Sequence, residues 1–170
     1  MYNREEEMYP DVKNWLESRL KQVIRDAEVK VYVTSRITVA DLIERERLTR
    51  YFSDIYRTYD IMVDITGIII RNNKGELAFI ECKLNKISLR ELSQLLGYSV
   101  VARPRYSMII SPRGTSDSLR TLLISYRRTD ILEYAHGRKI AVAQWNADKK
   151  DIDYATIIPS GWSFQTLHSF

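Results

Sequence analysis

The feature that most limits how this chain can fold is a hairpin signal near its middle. Two apolar runs, DIMVDITGIII from Asp60 to Ile70 and ELAFIECKL from Glu76 to Leu84, flank a cluster of turn formers, Asn72, Asn73, Lys74 and Gly75. β-Branched and aromatic residues suit a pleated surface and the Asn/Gly connection lets the chain reverse, so the pattern predicts two antiparallel strands. A four-residue loop would pair Arg71 with Glu76. In that register Asp64 faces Lys83 and Thr66 faces Glu81, with diagonal neighbours close enough to share a cation. Strand alternation places Ile61, Val63, Ile65 and Ile69 on an apolar face and Asp60, Met62, Asp64 and Thr66 on the other. By the same alternation Cys82 points away from Glu81 and Lys83, as a small buried apolar residue.

Around the hairpin the chain alternates between helical and strand patterns. Met8, Val12, Leu16, Leu20 and Val23 form one stripe of a helix from about Glu5 to Asp26, with Pro10 in its first turn. A strand is predicted over Val29 to Ile37, then a charged helix from Thr38 to about Tyr51, whose Asp41/Arg45 and Glu46/Arg50 pairs lie four residues apart. Ser88 and Glu91 make a capping box for a helix running to about Ala102, its apolar stripe read as Leu89, Leu92, Leu96 and Val100. YSMIIS (Tyr106 to Ser111) is a further strand, SPRGTSDSL opens a helix to Arg127 or Arg128, and Ile140 to Trp145 and the IDYATIIP segment add two strands. The order predicts an α/β sandwich with a central mixed β-sheet flanked by helices. At 170 residues, 45% of them apolar, residues 1–170 make one domain.

Composition excludes more than it identifies. No apolar run approaches the roughly 18 residues of a membrane span, and the acidic start MYNREEEMYP has no secretory core, so a soluble protein is expected. One cysteine and two histidines leave no disulfide framework and no structural zinc set, and no glycine-rich phosphate loop or nucleophile elbow occurs. A reducing, cytoplasmic setting is expected. Lys plus Arg outnumber Asp plus Glu by 26 to 22, a net charge of +4 that permits a polyanionic partner.

Carboxylate chemistry remains. Acid-x-Lys on a strand sets a metal-binding carboxylate beside an ammonium on one face. The pattern occurs four times, at Asp11/Lys13, Glu28/Lys30, Glu81/Lys83 and Asp148/Lys150. Asp11/Lys13 lies in a helix, where residues two apart diverge; Asp148/Lys150 lies in a polar turn; Glu28/Lys30 has no earlier acidic strand beside it. Glu81 and Lys83 close an apolar run next to the strand that carries Asp64, which is a costly place for charges without a purpose.

An acidic strand, a hairpin, Glu-x-Lys ending an apolar strand and a capped helix together resemble the PD-(D/E)xK, restriction-endonuclease-like nuclease superfamily. The resemblance rests on Asp64, Glu81 and Lys83 and on Gln94 to Tyr98 (QLLGY), which is similar to the Gln-x-x-x-Tyr motif of its RecB-like branches; it covers about Tyr59 to Ser111. Tyr59 stands where the motif's proline would, and Asp60 competes with Asp64 for the acidic role. The resemblance implies a Mg²⁺- or Mn²⁺-dependent DNA endonuclease with RNA left open, and a homodimer. Metal would be held by Asp64, Glu81 and the Cys82 backbone carbonyl, with Glu5 of the first helix as a further candidate ligand. Lys83 would orient or help deprotonate the attacking water, and Gln94 and Tyr98 would border the site. Lys86, Arg90, Arg103, Arg105 and Arg113 would track the nucleic-acid backbone. Two other readings stay open, a catalytically silent nuclease-fold module that binds nucleic acid or protein, and a Holliday-junction-resolvase-like activity.

Overall fold

The hairpin forms, with a tighter turn than its composition suggested. In the computed structural model, which describes residues 1–164, β2 (Ile65–Arg71) runs antiparallel to β3 (Lys74–Cys82), and Arg71 pairs with Lys74. Only Asn72 and Asn73 form the loop. Both take positive φ, 52° and 58°, the left-handed pair that a two-residue hairpin turn needs and that asparagine tolerates better than most residues. The register therefore sits two residues earlier on β3 than a four-residue loop would give: Ile65 meets Ile80, not Cys82. A two-residue slip leaves every side chain on its expected face. It brings Asp64 level with Glu81, where the sequence reading had it opposite Lys83.

β1 (Glu28–Val33) pairs antiparallel with β2, and β4 (Tyr106–Ser111) lies parallel to β3. A small ribbon of β5 (Glu133–Ala135) and β6 (Arg138–Lys139) turns at Gly137, whose φ is +70°. β7 (Ala141–Asn146) lies parallel to β4, and β8 (Asp151–Ile158) returns antiparallel to it. The main sheet is six-stranded and mixed, in the order β1-β2-β3-β4-β7-β8. This is the expected α/β class, with helices on both faces.

One face is covered by α1 (Tyr9–Val23), which buries Val12, Trp15, Leu16 and Leu20 against Ile65, Ile69, Ala78, Ile80, Cys82 and Ile110. Gly67 lets the helix lie close, since a Cβ there would stand 3.1 Å from a Leu20 methyl and 3.2 Å from the Ala78 Cβ. The other face packs α2 (Val39–Arg45), α3 (Leu89–Ala102) and α4 (Asp117–Arg120) over Ile68, Leu77, Phe79, Ile109 and Val142. Among the described residues no helix is long and apolar enough to cross a membrane.

Several expectations are corrected. Glu5 to Glu7 form a separate 3₁₀ turn before α1 because Pro10 fits only the first turn of an α-helix. The second helix stops at Arg45, and two 3₁₀ turns, Thr49–Tyr51 and Asp54–Thr58, replace its second half. Residues 60–64 are not strand. Ile61 and Val63 therefore leave the face of Ile65 and Ile69 and join the core on the opposite layer. The predicted helix beyond Ser116 is short, passing into a π-type turn over Thr121–Ser125. On α3 the buried stripe is Leu92, Leu95, Ser99 and Ala102, while Leu89 and Val100 are exposed. Trp15 and Trp145 meet edge to face at 5.6 Å in the core that also holds Ala141 and Ala143.

Two left-handed asparagines in one turn carry a steric cost that glycine avoids. Asn73→Gly is expected to raise the melting temperature by about 1–4 °C, corresponding to about 0.5–1 kcal/mol, measured by thermal denaturation.

Candidate functional site

The pairing of β2 and β3 ends at Ile65 and Ile80, although β3 continues to Cys82. That leaves the Cys82 N–H, which points away from β4, without a ladder acceptor. Asp64 supplies one: its carboxylate Oδ2 accepts from the Cys82 N–H at 2.8 Å. Its other oxygen, Oδ1, accepts from the Tyr9 hydroxyl at 2.8 Å. Tyr9, in the first turn of α1, is a residue the sequence reading missed, because its partner lies 55 positions away and no local pattern connects them. Thr34 completes the frame, donating from its N–H to the Asp64 carbonyl and from its hydroxyl to the Val63 carbonyl.

Glu81 stands on the same strand end, with Cys82 turned into the α1 layer, fully buried, as alternation predicted. The Lys83 ammonium lies 2.9 Å from Glu81 Oε1 and 3.6 Å from Glu5 Oε2. Its backbone N–H donates to the Ile110 carbonyl, extending the parallel ladder by one residue. The structure thus brings Glu5, Asp64, Glu81 and Lys83 into one cluster at the end of β3. Asp60, the competing acid, is exposed and lies outside the strand.

Three acids against one lysine make an electrostatically strained site. Burial raises the Glu81 pKa to about 7, helped by the Asp64 carboxylate and opposed by Lys83. Burial likewise raises Asp64, against the lowering effect of the Cys82 N–H and the Tyr9 hydroxyl, and raises Glu5. For Lys83, burial works against the charge, but Glu81 and Glu5 outweigh it and hold the pKa above its ordinary value. Held as an ammonium by its own neighbours, Lys83 suits orienting a water or an anion more directly than removing a proton.

The donor set fits a hard divalent cation. Mg²⁺ is held through one or two carboxylates, with waters and phosphate oxygens completing its shell. Asp64 and Glu81 provide two carboxylates, each Asp64 oxygen keeps a second lone pair, and the excess negative charge has no other counterion in the cluster. Among the described residues no three His, Cys, Asp or Glu side chains converge tightly enough to hold a metal unaided.

The remaining candidates separate by position. Gln94 and Tyr98 bond to each other, Nε2 to hydroxyl at 3.3 Å, on the outer part of α3. The α3 residue whose charge is coupled to Lys83 is Glu91 of the capping box. Lys86, Arg90 and Arg113 lie at the site end of the sheet and are exposed; Lys86 is 3.9 Å from Asp117, and Arg113 donates to Asn85 Oδ1 at 3.2 Å. Arg103 and Arg105 are at the other end. Arg105 precedes Tyr106, which pairs with Ala78, three strand residues or roughly 10 Å before Glu81. It is buried, with Nη1 donating to Glu76 Oε2 at 2.9 Å and Nε donating to the Tyr106 hydroxyl. A buried, paired guanidinium cannot contact a nucleic-acid backbone, so Arg105 is a structural residue. Arg103 is the left-handed C-cap of α3, and its carbonyl accepts from Arg138.

No protein-family model, curated protein or solved structure matches the chain.

Two outcomes follow from the buried acids. Between the ordinary glutamate pKa of 4.5 and about 7, the folded protein binds the Glu81 proton more tightly than the unfolded chain does. Stability then falls as pH rises through that window. Glu81→Gln is expected to melt a few degrees above the native protein at pH 8, an advantage that disappears near pH 4.5. Tyr9→Phe leaves Asp64 Oδ1 without its donor, costing about 1–3 kcal/mol, measured as a lower denaturation midpoint with an unchanged slope.

Proposed function

We propose that this protein is a divalent-metal-dependent nuclease that hydrolyses DNA phosphodiester bonds as an endonuclease. The observation that carries the reading is the placement of two carboxylates, Asp64 buried and Glu81 half-buried, at one strand end beside the Lys83 ammonium. Drawing three acids partly out of water around a single lysine is costly, and a bound divalent cation would offset that surplus of negative charge.

Asp64, fixed by Cys82 and Tyr9, and Glu81 hold the metal, and the Cys82 carbonyl, which points to the same side as its N–H, is a further oxygen within the cluster. A bound Mg²⁺ supplies Lewis acidity toward the phosphate and a more acidic bound water. Lys83, kept protonated by Glu81 and Glu5, orients the attacking water and offsets charge developing on the phosphate oxygens. Glu5 keeps the ammonium over the site. Lys86, Arg90 and Arg113 bind the flanking backbone, a contact that strengthens affinity without reading sequence and weakens with salt. A homodimer would give one such site per strand of a duplex.

The Lys83 ion pairs favour a second reading, since Lys83 already pairs with both Glu5 and Glu81 without a metal. In that case the chain binds nucleic acid or protein without cutting it.

Incubation with linear, circular, single-stranded and branched DNA, with and without Mg²⁺ or Mn²⁺, separates the two. Metal-dependent cleavage is expected, with Glu81→Ala and Lys83→Ala each slower by about 100-fold or more. Cleavage in chelator, or full activity in both variants, refutes the site; binding of every substrate without cleavage establishes the silent module.

A further inference from the structure

The end of the sheet away from the carboxylates carries a cavity of about 330 Å³, where the chain between the two 3₁₀ turns meets the start of β3 and the end of α3. Tyr51, Phe52, Tyr59, Leu77 and Arg103 are among the residues that line it. From Gly75, at its floor, to Glu81 is six strand steps, roughly 20 Å, so it is separate from the carboxylate cluster.

The floor is a stretch of β3 edge that β4 leaves uncovered, since their pairing begins only at Ala78 and Tyr106. The Leu77 carbonyl points toward β4 and accepts from the Arg105 N–H at 2.7 Å. A strand residue's N–H points the same way as its carbonyl, so the Leu77 N–H faces that side too. No backbone acceptor among the described residues reaches it; the Pro104 carbonyl, next in line, accepts instead from the Tyr134 hydroxyl at 2.8 Å and from Arg138. Gly75, two residues back, turns its N–H and carbonyl the same way, and a Cβ there would stand 2.4 Å from the Phe52 ring. Glycine thus lets Phe52 close the wall.

Tyr59 is the buried polar side chain of the lining, 7% exposed. Its backbone is held on both sides, the N–H donating to the Tyr56 carbonyl at 3.0 Å and the carbonyl accepting from the Ala40 N–H at 3.2 Å. Its hydroxyl bonds to no group among the described residues. No fully enclosed side-chain oxygen or nitrogen among them lacks a partner, so the hydroxyl is the part of Tyr59 that surfaces, and it surfaces in this cavity. Burial raises its pKa and keeps it a donor, and the charge that acts on it is the Arg103 guanidinium, which lowers the pKa in part.

The charge on this face is positive. Arg103 has no carboxylate partner among the described residues. Glu76 is the lining's acid, but it lies between Gly75 and Leu77 and by strand alternation points to the far face, where Arg105 holds it at 2.9 Å. Lys74 shares the far face with Glu76 and adds a further positive charge. Guanidinium, hydroxyl and amide are therefore three donors without acceptors, which is costly for the buried ones. A cation is repelled, and a hydrocarbon leaves all three unpaired. A phosphate group accepts through several oxygens at once and its charge answers the guanidinium.

We propose that this cavity is a phosphate-binding site, in which Arg103, the Tyr59 hydroxyl and the Leu77 N–H hold one phosphate group and Tyr51 and Phe52 flank the group that carries it. The site does not rest on the nuclease reading. The phosphate belongs either to a free phosphomonoester or to a nucleic-acid strand passing this end of the sheet.

Calorimetric titration with inorganic phosphate and with acetate, both in chelator, tests the site. Phosphate is expected to bind at least about tenfold more tightly than acetate, and Tyr59→Phe and Arg103→Gln are each expected to weaken it about tenfold, the effect of one lost charge-assisted hydrogen bond. Because the hydroxyl has no partner in the fold, Tyr59→Phe should melt no lower than the native protein. No phosphate binding, binding no tighter than acetate, or binding unchanged in either variant overturns the proposal, as does a lowered melting temperature of Tyr59→Phe, which would make the hydroxyl a structural group. Single-stranded oligonucleotides with and without a 5′-phosphate, also in chelator, separate the sources. Arg103→Gln weakening only the phosphorylated strand supports a monoester, weakening both supports the nucleic-acid backbone, and weakening neither overturns the site. A protein that binds phosphate here yet cuts no DNA in Mg²⁺ keeps this site and refutes the nuclease; metal-dependent cleavage without phosphate binding does the reverse.

Discussion

Asp64 ties three elements together, two through its carboxylate and one through its backbone carbonyl. One oxygen takes the Cys82 N–H of β3 and the other the Tyr9 hydroxyl of α1, while the Asp64 carbonyl takes the Thr34 N–H beyond β1. A strand end that outruns its partner normally leaves an amide to water. Here the amide is buried, so an acceptor must be supplied, and an acidic side chain level with the end of the ladder supplies it. The same bonds fix the carboxylate in one orientation. A carboxylate held in this way would need no reordering to take the cation proposed for it.

The charge balance gives the cluster its character. Burial raises Glu5, Asp64 and Glu81 together, and Lys83 answers only part of the negative charge. An ordinary structural salt bridge pairs charges one to one. A surplus of carboxylates drawn partly out of water destabilises the fold at neutral pH and is relieved by protons, so stability against pH reads out these four residues, and on the proposed reading a cation would relieve the same charge.

The sheet also sorts the basic residues. Because β3 and β4 are parallel, residues leaving their carboxyl ends share one edge of the molecule, and Lys86, Arg90 and Arg113 gather there with the carboxylates. Arg103 and Arg105 enter β4 from the opposite edge. In sequence all five flank the motif equally. Arg105 shows the difference most clearly, having become the partner of Glu76 within the fold.

What could be read from the linear chain is what depends on local periodicity and steric preference. Alternation placed Cys82 opposite Glu81, the capping box at Ser88 and Glu91 starts α3 as its spacing requires, and β4 begins and ends where its apolar run does. The mixed α/β class follows from the order of the elements. Turn length was not legible, because Asn-Asn and Asn-Asn-Lys-Gly are both plausible connections; only the packing of β2 between β1 and β3, with α1 against Gly67, selects the two-residue turn and hence sets Asp64 beside Glu81. The start of β2 at Ile65, the Tyr9 bond and the burial of Arg105 were likewise beyond reach. Each depends on contacts between residues tens of positions apart, and such contacts are decided by how whole layers pack and by which buried polar groups still lack a partner once they have.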